Sequence, residues 1–384
     1  MIEAAEKRVL LLVDDDSDNV KVVHSILKGR YKIRVAMNGD KALELAKVEP
    51  LPDLILLDVV MPQMDGYEVC GRLKADRRTR DIPVIFLTGK TEVTDETRGF
   101  EVGAVDYIHK PFSPPIVTAR VRTQLMLRDA HETVSRQLEA INSELEMARQ
   151  IQLSILPSET PHLQGLEIEA RYLPMSSVAG DFYDFLVIDE KHVGILIADV
   201  AGHGLPSALI ASMLQTAFAA QAPNASDPAR VLSGLNRALF GRFRSHYVTA
   251  AYLFLDIDKS IVNYAGAAHP PLLLWQSKVG RVSEFVENGL MLGPFQNSSY
   301  SATTFPLEEG DKIVLITDGI IEARDSSNKE FGMERLRQIV DTQHCLPVSR
   351  FADAVLDGLS CWSEEAIGPG QSDDITLLAM DFKA

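Results

Sequence analysis

Cysteine is scarce in this sequence. Cys70, Cys345 and Cys361 are the only three among 384 residues, and they are scattered, odd in number, and spaced neither as a metal site nor as a disulfide framework. They read as free thiols of a reducing compartment, so a cytoplasmic location is expected. Long apolar runs are lacking too. No segment approaches the roughly 18 continuous apolar residues of a membrane span, and the first residues, with Glu3, Glu6, Lys7 and Arg8 among a few apolar ones, have no signal-peptide core. A soluble chain with no membrane partner is therefore expected. Basic residues are in deficit: 38 Lys+Arg against 54 Asp+Glu leave a formal net charge of -16. Such a field repels polyanions, and the C-terminal half offers no basic recognition helix, which argues against a nucleic-acid partner. Finally, neither glycine nor proline occurs between Pro115 and Pro157, so that stretch has no turn residues.

What is present points to more than one domain. A length of 384 residues exceeds the size at which single cores stop growing, about 250 to 300 residues, and an apolar fraction of 46% is ample for packed cores. In the N-terminal part, Arg8 to Val13 (RVLLLV) runs into three aspartates, Leu54 to Leu57 (LILL) precedes Asp58, Pro83 to Leu87 (PVIFL) precedes Thr88, and Tyr107 to His109 precedes Lys110. Apolar runs without alternation suit parallel strands buried on both faces, and the amphipathic stretches Val20 to Leu27 and Lys41 to Val48 suit crossover helices. The expectation is a doubly wound α/β sheet.

Ligands of such sheets bind beyond the carboxyl ends of the strands, which brings Asp14, Asp15, Asp58, Thr88 and Lys110 to one mouth. Three carboxylates together call for a cation, and Mg²⁺ is the hard, oxygen-loving ion that also bridges phosphate. Asp58, followed by Met61-Pro62 and Asp65-Gly66 on a tight loop, is the candidate nucleophile for an aspartyl phosphate. Asp14 and Asp15 would hold the metal, Lys110 would neutralise phosphate charge, and Thr88 would hydrogen-bond it. A single Asp after a strand is more often a turn or cap residue, and Asp16 or Ser17 is expected to cap the first helix.

The motifs LLVDDD, LILLDVVMPQMDGYEV, PVIFLTG and DYIHKPF occur in this order, and over about residues 7 to 125 the sequence resembles the receiver domains of two-component response regulators. The resemblance implies phosphorylation of Asp58 by a histidine kinase or phosphotransfer protein, Mg²⁺ held by Asp15, Asp58 and the Val60 carbonyl, and a Thr88/Tyr107 switch pair. His109 stands where that family more often has an apolar residue.

The turn-free stretch carries apolar residues at Leu127, Val134, Leu138, Ile141, Leu145, Ala148 and Ile155. Steps of three, four and seven fit a heptad, with His131 and Gln152 in the remaining seam positions and polar flanks. This predicts a helical coiled-coil connector over 126–156 and a homodimer. The competing expectation is a single amphipathic helix lying on a neighbouring domain.

Beyond Pro157 the pattern becomes α+β. Strands are expected near Leu166 to Tyr172, His192 to Ala198, Val248 to Asp256, Ile313 to Thr317 and Ile375 to Met380, and helices near Leu205 to Gln221 and Pro228 to Phe243. Two packed antiparallel sheets covered by helices is the natural architecture. The acids are placed tellingly: Asp181 follows Gly180, Asp199 is expected to end a strand and opens DVAGHG, Asp318 is expected to end another in ITDGIIEA, and Asp373 opens the last strand in QSDDITLL. An Asp-Gly pair alone is usually a turn. Several acids converging without basic partners call for divalent metal, and two ions a few ångströms apart are the usual device for phosphoester hydrolysis.

From the lead-in ARQIQLSILP through GDFYDF, DVAGHGLPSAL, ITDGIIEA and SDDITLL, residues 147 to 384 resemble the SpoIIE/RsbU-type branch of the PPM (PP2C-like) serine/threonine phosphatases. The resemblance implies two Mn²⁺ or Mg²⁺ ions on Asp181, Asp199, Asp318, Asp373 and the Val200 carbonyl. Asp199 and Asp318 would stand at the centre of the catalysis, and the substrate would be a phosphoserine or phosphothreonine protein, for instance a STAS-domain anti-sigma factor antagonist. Ala179 replaces a glycine common in that family, and His203 is a candidate proton donor or loop residue. The expectation is thus a receiver domain (1–125), a connector (126–156) and a phosphatase domain (157–384). The rival is a non-catalytic adaptor binding a sigma factor through a degenerate phosphatase fold, which loss of metal-site acids would favour; none is missing.

Overall fold

The computed structural model describes residues 7–89, 98–176, 178–202, 204–243, 245–286, 288–363, 366–368 and 371–383. His203 lies outside them. The chain divides into two compact units, Met1–Ala140 and Ile141–Ala384.

In the first unit, strands β1 (Val9–Val13), β2 (Lys32–Ala36), β3 (Leu54–Asp58), β4 (Val84–Thr88) and β5 (Asp106–His109) form one sheet in the order β2-β1-β3-β4-β5, and every pairing is parallel. β1, β3 and β4 are buried throughout because helices cover both faces, which is why they read as unbroken apolar runs. The side chains divide by parity: Leu11, Val13, Ile55 and Leu57 face one cluster, and Leu10, Leu12, Leu54 and Leu56 the other. Short acidic or amide caps start the helices. Asp16 accepts the amide of Asp18 ahead of Ser17–Leu27, Asn38 caps Gly39–Leu45, and Asp65 caps Gly66–Ala75.

A helix of 42 residues, Pro114–Ile155, follows. Val117, Val121 and Leu125 pack into the receiver core, and Arg128 still donates to the carbonyls of Pro52 and Asp53, so packing on the first unit continues past residue 125. Of the expected seam, Leu127, Val134, Leu138 and Ile141 are 55–58% exposed within the single chain. Gln152 departs from the heptad reading: it is 6% exposed and turned onto the second unit's own backbone.

The second unit has two antiparallel sheets. β6 is Leu166–Leu173, β7 Phe182–Asp189, β8 His192–Val200, β9 Val248–Asp256, β10 Ile261–Ala267, β11 Leu272–Gln276, β12 Arg281–Phe285, β13 Asn288–Gly289, β14 Thr303–Pro306, β15 Lys312–Ile316 and β16 Ile375–Phe382. One sheet runs β13-β10-β9-β8-β7 with β14 on β10, and the other β12-β11-β15-β16-β6; the two-residue β13 is the one parallel addition among these pairings. Alternate side chains of the central strands serve two cores. Ile195, Ile197, Leu253, Ile313, Leu315, Leu378 and Met380 fill the space between the sheets. Leu196, Ala198 and Tyr252 pack outward under helices Leu205–Ala219 and Pro228–Leu239, while Val314, Ile316 and Leu377 pack under helices Gly332–Gln343 and Val348–Trp362. The sequence reading missed these last two helices. The result is a four-layer α/β/β/α arrangement.

Candidate functional sites

The receiver mouth is built from four strand ends. Asp58 closes β3 and Thr88 closes β4, while Asp14 and Lys110 follow β1 and β5 directly. Lys110 Nζ lies 2.7 Å from Asp58 Oδ2 and 2.9 Å from Asp14 Oδ2. Asp14 is fully buried, and its Oδ1 accepts the Asp16 amide and the Asn19 side chain at 2.9 and 3.3 Å. The loop after Asp58 folds back so closely that a Cβ on Gly66 would come within 2.2 Å of the Asp58 carbonyl oxygen, which explains the Asp65-Gly66 pair.

Burial raises the carboxyl pKa of Asp58; the Lys110 hydrogen bond opposes this and the Asp14 charge adds to it. Burial also works against the charge of Lys110, but the two carboxylates outweigh it and leave its pKa raised. Carboxylate oxygens of Asp14, Asp15 and Asp58 all lie within 4.8 Å of one another, a donor set of hard oxygens that fits Mg²⁺. Val60 touches Asp58 through its amide, at 3.4 Å from Oδ1. Tyr107 is ringed by Phe100 and His109 edges at 6.1 and 5.0 Å and by the Arg120 guanidinium at 5.3 Å; Arg120 also pairs with Asp106. His109 thus presents an aromatic edge to Tyr107.

In the second unit the apolar layer between the sheets gives way to acids at one end. Asp199 shares the β8 face of Ile195 and Ile197 by parity, and Asp181 and Asp373 stand just before β7 and β16. Asp318 does not end a strand: β15 stops at Ile316, Thr317 is the N-cap, and Asp318 opens the short helix Asp318–Ile321. Asp181 is 2% exposed, and its Oδ2 accepts from Thr317 Oγ1 at 2.7 Å and Thr376 Oγ1 at 2.5 Å. Oδ1 carries no hydrogen bond among the described residues. Neighbouring Asp374 has a different task from Asp373: its two oxygens accept the amides of Met175 and Gly180 at 2.8 and 2.6 Å.

No ion pair joins Asp181, Asp199, Asp318 or Asp373 to a basic side chain among the described residues, and the effect on ionisation is large. Burial and the charges of Asp318 and Asp373 push the carboxyl of Asp199 up to about 8. Burial and Asp373 push Asp318 up to about 6, and burial with the Asp199 charge holds Asp181 well above the usual carboxylate range. Two glycines make room. A Cβ on Gly180 would lie 2.7 Å from the Val200 carbonyl oxygen and 3.2 Å from that of Gly202, and one on Gly319 would meet the Asp374 carbonyl at 2.0 Å. One buried and three half-buried carboxylates without a counter-cation among the described residues, with the Val200 and Gly202 carbonyls packed against Gly180, are oxygen donors of the kind that suits Mg²⁺ or Mn²⁺.

Sequence reasoning missed Thr317, Thr376, Asp374 and the role of Gln152. The threonines stand next to or within three residues of a named aspartate, a proximity that motif reading passes over. Glu322, inside ITDGIIEA, is close enough to raise the pKa of both Asp199 and Asp318.

Comparison with known proteins agrees with this division. The profile of the family described as Stage II sporulation protein E (SpoIIE) matches residues 189–383, about half of the chain, and that of the response regulator receiver domain matches residues 10–122. A probable cyclic di-GMP phosphodiesterase of Vibrio cholerae is 42% identical over 144 residues, covering 38% of this chain and 32% of that protein. Phosphoserine phosphatase RsbU of Bacillus subtilis is 30% identical over 259 residues, covering 67% of this chain and 76% of that protein. The chain therefore spans about a third of the first relative's length and about three quarters of the second's. The SiaA-PP2C domain of Pseudomonas aeruginosa superposes with a TM-score of 0.56 at 24% identity, over 65% of this chain and 98% of that one, a likeness of fold.

Proposed function

The chain belongs to the SpoIIE family and carries a response regulator receiver domain ahead of it, and from that premise we propose that it is a metal-dependent protein serine/threonine phosphatase controlled by phosphorylation of Asp58. The observation that carries the reading is the convergence of Asp181, Asp199, Asp318 and Asp373 with no basic partner among the described residues, which leaves Asp199 with a pKa of about 8 and Asp318 of about 6. These four and the Val200 carbonyl would hold two Mn²⁺ or Mg²⁺ ions. When bound, such ions supply an activated water and polarise the phosphoryl oxygens. The residues of the chain do the positioning: Thr317 and Thr376 hold one oxygen of Asp181, Asp374 holds the Gly180 amide, and the apolar layer of Ile195, Ile197 and Leu315 keeps water from the floor.

The substrate is a phosphoserine or phosphothreonine protein, a reading supported by the likeness to the phosphoserine phosphatase RsbU, and a STAS-domain protein is the first candidate to try. In the receiver, Asp14, Asp15, Asp58 and the Val60 carbonyl would hold Mg²⁺, and an Asp58 carboxylate oxygen takes the phosphoryl group as its bond to the phosphohistidine nitrogen of a histidine kinase or phosphotransfer protein breaks. Lys110 then turns from two carboxylates to the new phosphate, and Thr88 and Tyr107 respond. The domain limits 1–125, 126–156 and 157–384 follow this division of labour. Exposed Leu127, Val134, Leu138 and Ile141 support a parallel pairing with a second copy of the connector. Among the described residues no helix is long and apolar enough to cross a membrane, and the cytoplasm is the proposed location.

The test is a rate measurement on a phosphoserine protein and on an aryl phosphate. Asp199→Asn and Asp373→Asn are each expected to lower the Mn²⁺-dependent rate by about 100-fold or more. Unchanged rates in either variant, or in excess chelator, would overturn the phosphatase reading in favour of an adaptor. In the parent an acyl-phosphate mimic is expected to raise the rate; no change in rate on modification of Asp58 would remove the control function alone.

A further inference from the structure

Gln152 is a buried amide in a stretch where apolar side chains are out in the open. It is 6% exposed, while its neighbours Ile151 and Leu153 are 67% and 40% exposed. Its side chain makes two complementary hydrogen bonds to one residue: Nε2 donates to the Ala179 carbonyl at 2.5 Å, and Oε1 accepts the Ala179 amide at 2.9 Å. Ala179 is itself fully buried, so these backbone groups need a partner from the protein. Among common side chains of this reach, only glutamine offers a donor and an acceptor side by side. Asparagine is a methylene shorter, glutamate has no donor when ionised, and lysine has no acceptor.

The next two residues are pinned as well. The Gly180 amide donates to Asp374 Oδ2 at 2.6 Å, and Asp181 is gripped by Thr317 and Thr376 at 2.7 and 2.5 Å. Three consecutive residues are thus fixed from three different elements: the end of the long helix, the turn before β16, and the β15 end with β16. Only the first of these grips comes from outside the sandwich, and it is a single side chain on the last turn of the helix.

We propose that Gln152 is a positioning residue for the metal loop: its amide sets the backbone at Ala179, and through Gly180 the place of the Asp181 carboxylate. A helix end that rotates or withdraws takes that grip with it, so the state of the helix and the readiness of the metal site become one variable. The proposal rests on the reading that Asp181 takes part in a metal centre.

The experiment uses the full chain carrying Asp15→Asn and Asp58→Asn throughout, so that the receiver's candidate cation site takes no part, stripped of metal and titrated with Mn²⁺ while the free ion is followed by its electron paramagnetic resonance. Gln152→Met keeps length and bulk and removes both hydrogen bonds, Gln152→Glu keeps the acceptor, and Ile151→Ala on the same turn is the control. The Met variant is expected to bind Mn²⁺ about tenfold or more weakly, the scale for loss of a partner that orients a ligand, with faster amide exchange at Ala179 and Gly180. The Glu variant, which keeps only the bond from the Ala179 amide, should also bind more weakly than the parent, the control should match the parent, and KM for an aryl phosphate should stay at the parental value. The melting temperature of the Met variant should fall together with the affinity, since the buried Ala179 groups lose their partner. Unchanged Mn²⁺ affinity in the Met variant overturns the proposal, as does a fall in melting temperature without loss of affinity, which would mark the contact as merely structural. If the Met variant does not fold, the Glu variant decides by the same criteria. A parent that binds no Mn²⁺ refutes the metal reading itself, whereas a parent that binds it and a variant that binds it equally refute only the role of Gln152.

Discussion

The chain carries two acidic centres that solve the same electrostatic problem in opposite ways. In the receiver, Lys110 stands 2.7 Å from Asp58 and 2.9 Å from Asp14, so the site supplies part of its own counter-charge. In the phosphatase unit no lysine or arginine pairs with Asp181, Asp199, Asp318 or Asp373 among the described residues, and the carboxyls respond by holding protons to about pH 8 at Asp199 and about 6 at Asp318. The receiver's ligand atoms also form a tighter group, all within 4.8 Å, while no such group of three forms among the described phosphatase acids. A centre with an internal cation has part of its carboxylate repulsion balanced before any metal binds. A centre without one is incomplete until cations arrive, which suits hydrolysis that must wait on metal.

The sharpest way to test the contrast is to remove metal and vary pH. Asp199 binds its proton more tightly folded than unfolded, since its pKa is raised from 3.8 to about 8. Between those values the native state holds more protons than the unfolded chain, so stability contributed by this group is greatest below the ordinary carboxylate range and is lost as pH rises toward about 8. Asp318 acts in the same direction over the narrower window from 3.8 to about 6. The melting temperature of the chelated phosphatase unit in the full chain is expected to fall from about pH 5 to about pH 9. Saturating Mn²⁺ should flatten that slope, because bound cations favour the ionised acids. A chelated profile without the fall would mean that the acids are already neutralised by the protein.

A smaller effect is expected from the receiver. Lys110→Met leaves Asp14 and Asp58 buried beside each other without their shared cation, and breaking such a pair from one side costs about 3 kcal/mol. Chemical denaturation of the first unit measures the loss, and millimolar Mg²⁺ should recover much of it. Stability untouched by the substitution would show that the lysine does not balance this site. Smallest of all should be Thr376→Val, which removes one of two hydroxyl donors from Asp181 Oδ2. A loss of about 1 kcal/mol and a several-fold weaker Mn²⁺ affinity are expected, with Thr376→Ser close to the parent. If valine and serine behave alike, the hydroxyl does not orient Asp181.

Much of this was legible in the chain because strands buried on both faces leave unbroken apolar runs, and the residue that ends such a run is marked by contrast. Asp58 and Thr88 close their strands as read, and Asp16 caps the first helix as expected. Strand Val248–Asp256 was read to its limits. Asp318 was misplaced by one element, since a helix N-cap at Thr317 and a strand end look alike in the segment ITDG. Gln152 was assigned to a heptad seam because spacing alone cannot tell a seam glutamine from one that turns toward a backbone 27 residues away.

Local patterns of apolar and charged residues along the chain are enough to read the two folds, their order and the candidate acids of each centre. The groups that serve those acids emerge from the packing alone: Lys110 shared between Asp14 and Asp58, two threonines on one oxygen of Asp181, Asp374 turned to the backbone, and Gln152 holding Ala179. Hydrogen bonds of this kind join residues far apart in sequence at distances of about 3 Å, and no periodicity records them.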